Sequence, residues 1–175
     1  KEICEQKNIG AALFSVSVSV IFVNIIKLID FIDIINGLGM EILIKILLFL
    51  IFMLAALVCY CFVLRRRTTL FKELFIDNNP AAGIGLLGFV FAIQTIIAGV
   101  MSYYGMDFEL LTVLIVLSVS LINFGILSVL FKKIFTYIVK VDIWNEIYEQ
   151  DNIGAAIGQV ALYVGIAIII ISFIM

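Results

Sequence analysis

The chain has no histidine, a single proline, Pro80, and only three cysteines, Cys4, Cys59 and Cys61. Without histidine, the commonest general base and neutral metal ligand are missing. Three thiols make no disulfide framework. Cys59 and Cys61 stand two apart in an apolar run, nearly opposite one another on a helix, which argues for packing rather than a metal or redox pair. Ser15, Ser17 and Ser19 have no accompanying base, and the chain has no Gly-x-Ser-x-Gly element, phosphate-binding loop or metal-ligand cluster. No catalytic, cofactor-binding or metal-binding residue is therefore assigned, and an enzyme is not expected. Charge is scarce as well: Asp, Glu, Lys and Arg make up 14% of 175 residues, and 11 basic against 13 acidic side chains give a formal charge of -2. The basic surface that nucleic-acid binding needs is absent.

Apolar residues are abundant: 65% of positions are hydrophobic, against roughly 45–50% in a soluble domain. Mean hydropathy is +1.27. The residues fall into runs of about 20, the length that spans a bilayer as a helix. The expectation is an all-α integral membrane protein, one polytopic domain over residues 1–175. Its five spans are Ala11–Phe31, Ile42–Leu64, Ala82–Tyr104, Leu110–Phe131 and Gly154–Met175. Continuous rather than alternating runs argue against a membrane barrel. Pro80 suits a first helical turn, where its missing donor costs nothing. Phe131–Glu149 reads as an amphipathic extension or an interfacial helix, with Lys132, Lys133 and Lys140 near headgroups and Trp144 near the boundary. Thr68–Asn78 reads as a shorter version of it.

Arg65, Arg66, Arg67 and Lys72 flank one loop, and Lys132, Lys133 and Lys140 another on the same side. That side is expected to be cytoplasmic, with the N-terminus inside and the C-terminus outside. Lys1 is an unusual native start, so a sixth helix upstream is expected.

The strongest pattern is a recurrence at the helix entrances. Asn8, Ala11 and Ala12 are matched by Asn78, Ala81 and Ala82, then by Asn152, Ala155 and Ala156. The intervals are 70 and 74 residues. Two spans separate successive copies, which predicts parallel two-helix repeats over residues 1–64, 72–131 and 145–175, the last a partial unit. The asparagines are expected to cap helix starts and the alanines to allow close helix contact. A headgroup, ion or partner site formed by the three entrances is the competing reading. On these residues the chain resembles the bacterial integral-membrane family called domain of unknown function 350, whose better-known members are YjfL-like proteins. Asp77 and Asp151 match that family's acidic approach, and Lys7 departs from it. The resemblance implies an inner-membrane role in envelope homeostasis and brings no reaction with it.

Several polar residues fall within or beside the spans. Asn24, Lys27, Asp30 and Asp33 recur every three residues, and Lys45 can approach them from the next helix. They form a candidate intramembrane polar group, either structural or lining an ion or solute path. Gln94, Thr95, Ser118, Ser120, Asn123 and Gln159 are expected to hydrogen-bond between helices. Gly154, Gly158 and Gly165 suggest a smooth contact face. Arg65, Arg66 and Arg67 are candidate lipid-headgroup contacts. The residues favour a non-enzymatic inner-membrane structural or interaction module, with a small channel or transporter as the alternative. Membrane lipids and either a second copy or other envelope membrane proteins are the expected partners; no cofactor, nucleic acid or small-molecule substrate is expected.

Overall fold

Long apolar segments without internal proline close their own backbone hydrogen bonds, as lipid demands. The computed structural model describes residues 8–28, 39–64, 68–104 and 110–175, excepting the side chains at 27, 28, 39 and 41. Within them run α1 (Ile9–Leu28), α2 (Gly39–Leu64), α3 (Pro80–Tyr104), α4 (Leu110–Val139), α5 (Ile143–Tyr148) and α6 (Ile153–Ile174). A π-helical turn, Lys72–Ile76, leads into α3. All of these helices except α5 are long and apolar enough to cross a membrane, so the protein is an all-α, multi-pass membrane protein.

The spans are not equivalent. In α3, 67% of the membrane-length segment is buried, against 17–28% in the other four, so α3 is the centre of the bundle. It packs against α1 and, most extensively, against α6. Small residues make this possible. A Cβ on Gly83 would stand 2.9 Å from the Leu13 side chain, one on Gly88 would overlap Val160, and one on Gly99 would come within 2.8 Å of Ile171. The glycines expected to be smooth contact points behave otherwise: a Cβ on Gly158 or Gly165 meets nothing within 4 Å. Close approach is made by α3, not by the glycine face of α6.

The fourth helix follows the extension alternative, running on past Phe131 to Val139; the rest of Phe131–Glu149 forms the separate helix α5. Lys140 ends α4 in the left-handed region, at φ 58. Asp142 then caps α5 by accepting from the Trp144 N–H at 3.0 Å. This corner turns α5 back against α6 and α3.

Candidate functional site

The helix entrances share one construction. The Asn8 side-chain oxygen accepts from the Ala11 N–H at 2.8 Å, and that of Asn152 accepts from Ala155 N–H at 3.1 Å. At α3 the cap is Asn79, whose oxygen accepts from Ala82 N–H at 2.8 Å. Asn78, the residue matched to Asn8 by simple alignment, stands one position earlier. It is exposed and left-handed, at φ 55, and Asp151 occupies the same place before Asn152, at φ 51. Asparagine and aspartate tolerate this conformation better than most residues. The caps are thus 71 and 73 residues apart, and Ala82, not Ala81, holds the place of Ala11 and Ala155.

At the α3 and α6 entrances a glutamate completes the cap. Six residues before the cap, Glu73 accepts from the Asn79 amide at 2.9 Å and Glu146 from the Asn152 amide at 2.7 Å. The backbone repeats the link, since Asn79 N–H donates to Glu73 O and Asn152 N–H to Glu146 O, each at 2.8 Å. In the sequence Glu2 stands at the same spacing before Asn8. This Glu-x5-Asn spacing was the available signal for the correct cap. Glu73 is only 3% exposed, and its second oxygen accepts from Thr68 Oγ1 at 2.6 Å.

Each entrance is tied to the next. The Asn8 amide donates to Phe75 O at 3.4 Å, and Gly10 N–H donates to the Asn78 side chain at 3.3 Å. The Asn79 amide donates to Ile147 O at 2.8 Å. A Cβ on Gly10 would lie 2.7 Å from Leu74 O, so glycine lets α1 sit directly on the turn before α3. Further along, Asn24 Nδ2 donates to Gln94 Oε1 at 2.5 Å.

Counted from the caps, four of the helix-to-helix contacts share an offset of one position, while Gly85, sixth after Asn79, faces Gln159, seventh after Asn152. Leu13 is fifth after Asn8 and meets Gly83, fourth after Asn79. Asn24 is sixteenth and meets Gln94, fifteenth. From α3 to α6, Gly88 is ninth and meets Val160, eighth, while Gly99 is twentieth and meets Ile171, nineteenth.

Beside the entrances lies a buried polar cluster. The Tyr60 and Tyr148 hydroxyls are hydrogen-bonded at 2.8 Å. Tyr163 OH accepts from Lys132 Nζ at 2.8 Å and from Gln159 Nε2 at 2.6 Å. Lys132 also lies 4.1 Å from the centre of the Trp144 ring, which stacks on Tyr148. Lys132 therefore turns inward instead of reaching headgroups, because two aromatic faces and a hydroxyl receive its ammonium. Burial pushes the Tyr148 hydroxyl well above the usual tyrosine range. Among the described residues, three buried side-chain polar atoms have no hydrogen-bond partner: Gln94 Nε2, Ser128 Oγ and Gln159 Oε1.

The other sequence candidates are more dispersed. Asp30, Asp33, Arg65, Arg66 and Arg67, and the Lys27 side chain, lie outside the described residues. Lys45 is half-buried on α2. Ser15, Ser17, Ser19, Thr95 and Ser118 donate to carbonyls of their own helices rather than across to others. Cys59 and Cys61 are free and exposed on α2. Between the ends of α4 and α6 runs an apolar groove of about 710 Å³, lined by Phe135 and Ile138 on one side and Gly154 and Gly158 on the other. Neither the groove nor the polar cluster was anticipated as a unit.

A family model described as Domain of Unknown Function (DUF350) matches residues 34–174. The chain belongs to this family. The DUF350 match takes in the entrances at Asn79 and Asn152 and leaves the one at Asn8 upstream of it. No curated protein and no solved structure gives a significant match.

Proposed function

We propose that this DUF350 chain is a non-catalytic structural and interaction module of a bacterial inner membrane. Its working parts are three parallel repeat units, α1–α2, α3–α4 and a third that begins at α5 and α6. The observation that carries the reading is the one-position offset shared by two contacts of α1 with α3 and two of α3 with α6. The two helix pairs share a one-position offset, place a glycine of α3 at the closest approaches and carry an asparagine link at the entrance. This is how helices associate where lipid removes the hydrophobic drive between them: packing and a few hydrogen bonds. The entrances are assigned to the cytoplasmic side, where Arg65, Arg66 and Arg67 would meet anionic headgroups. A role in envelope maintenance extends the same reading, with other envelope membrane proteins or further copies as partners.

One set of observations favours a second reading, a small channel or transporter. Gln94, Ser128 and Gln159 bury unpartnered polar atoms, and Gln159 donates to Tyr163, which also accepts from Lys132. Reconstitution into sealed vesicles separates the two. The structural reading predicts proton, potassium and small-solute flux at the level of empty vesicles. Flux above that level which falls in Lys132→Met or Gln159→Leu would overturn it.

A further inference from the structure

Between α2, α3 and α6, one hydroxyl proton and one amide oxygen face the same small space. Tyr60 and Tyr148 are both buried, and their hydroxyls lie 2.8 Å apart. Each phenol carries a single proton, and the bond between them consumes one of the two. When Tyr148 donates, the Tyr60 proton is left to find another acceptor. Gln159, 1% exposed, turns its Nε2 to the Tyr163 hydroxyl and leaves its Oε1 without a donor. The two groups meet over Gly85 of α3. A Cβ there would lie 3.7 Å from Gln159 Oε1 and 3.9 Å from the Tyr60 hydroxyl; among the described residues it would meet nothing else within 4 Å outside its own stretch of helix. Gly83, Gly88 and Gly99 of the same helix are each pressed against an apolar side chain, whereas Gly85 opens onto two oxygens.

A buried donor and a buried acceptor that face one space without a bond between them are costly. The chemistry selects what would pair them. A cation would face the Tyr60 proton and stand beside the Lys132–Tyr163 pair, and an anion would face the amide oxygen. A neutral molecule that both accepts and donates suits both groups, and a space the size of a methyl group admits a water. We propose that a single water is bound over Gly85, accepting from the Tyr60 hydroxyl and donating to Gln159 Oε1, so that it ties α2 to α6 across α3. With it, one hydrogen-bonded chain runs from Lys132 through Tyr163, Gln159 and the water to Tyr60 and Tyr148, joining α4, α6, α2 and α5. The site goes beyond the structural reading and does not depend on it. It gives Gln159 Oε1, one of the atoms that favour the channel reading, a partner that requires no solute path.

The test is thermal unfolding of the full chain in bicelles with Gly85→Ala, Gly85→Ser and Tyr60→Phe. Alanine fits at ordinary contact distance and favours a helix more than glycine does, so a dry space predicts no change or a gain in stability. A bound water predicts the reverse, because the methyl group displaces it and strands both polar groups. The melting temperature of Gly85→Ala should then fall by about 2–8 °C. Gly85→Ser carries a hydroxyl into the place of the water and should melt above Gly85→Ala, against the order of helix propensity. In the Tyr60→Phe background the donor is already gone, so Gly85→Ala should cost less there. No change or a gain in Gly85→Ala, a serine variant no more stable than the alanine one, or an equal loss with and without the Tyr60 hydroxyl overturns the proposal. If the Gly85 variants do not fold, a crystal structure of the unaltered chain decides. One water within hydrogen-bond reach of the Tyr60 hydroxyl and Gln159 Oε1 is expected; no density there, or a direct bond between the two, overturns the site. Vesicle flux is read separately: flux above the level of empty vesicles counts against the structural reading and leaves the bound water standing.

Discussion

Replacing Asn79 by alanine removes three interactions from a residue with no exposed surface. Its side chain caps α3, holds Glu73 and bridges to Ile147 O. The cap is worth about 1 kcal/mol. Leaving the buried Glu73 oxygen short of a donor costs about 1–3 kcal/mol. The bridge to Ile147 adds roughly 0.6 kcal/mol at the average for interhelical bonds in membranes. The expected loss is therefore about 3–5 kcal/mol. Asn78→Ala gives up only a 3.3 Å bond to Gly10 and an exposed left-handed residue. Its cost should be about 1 kcal/mol, and Asn78→Gly should be nearly neutral because glycine accepts that conformation. Reversible unfolding in bicelles, followed by circular dichroism, measures the difference. Asn79→Ala should be the more damaging by at least about 2 kcal/mol on the same terms. Equal losses, or a larger one for Asn78→Ala, would refute the assignment of cap and carboxylate.

Three further outcomes follow from packing and burial. Gly88→Val should destabilise the bundle by about 1–3 kcal/mol through overlap with Val160, and Val160→Ala should restore part of the loss in a double-mutant cycle. Gly125→Ala meets nothing within 4 Å, so its effect on thermal stability should be neutral or a gain of up to about 1 kcal/mol. Burial raises the folded pKa of the Tyr148 hydroxyl. The folded state thus holds that proton more tightly than the unfolded state, and the associated stability is intact below a pH of about 10 and lost as pH rises beyond it. Tyr148→Phe should reduce the alkaline loss of stability in a pH series of melting curves; an unchanged slope above that pH would contradict the assignment.

The helices were legible because lipid imposes a length and a composition that soluble folding does not. The five apolar runs reappear as spans, with ends displaced by a few residues, and most at α4. The inward turn of Lys132 was hidden because Lys132 and Lys133 look like a membrane boundary, whereas the folded chain finds aromatic partners for Lys132. The entrance motif was visible but misregistered at one copy. Asn78 and Asn79 are adjacent, and matching the alanines chose the first, while the backbone selects a cap by the position of the left-handed residue before it. Only the carboxylate six residues upstream separates the two choices. The Tyr60–Tyr148 pair was beyond reach, since its members are 88 residues apart and neither tyrosine departs from its local apolar pattern.

The one-position offset shared by the two helix pairs is tested most directly by comparing intrachain cross-links in a chain carrying Cys4→Ser, Cys59→Ala and Cys61→Ala. Leu13→Cys with Gly83→Cys, and Gly88→Cys with Val160→Cys, should both form efficiently in membranes. Moving the α3 partner one helical turn, to Leu87→Cys and Ala92→Cys respectively, should suppress both. Efficient cross-linking of either shifted pair, or of only one in-register pair, would contradict the shared offset.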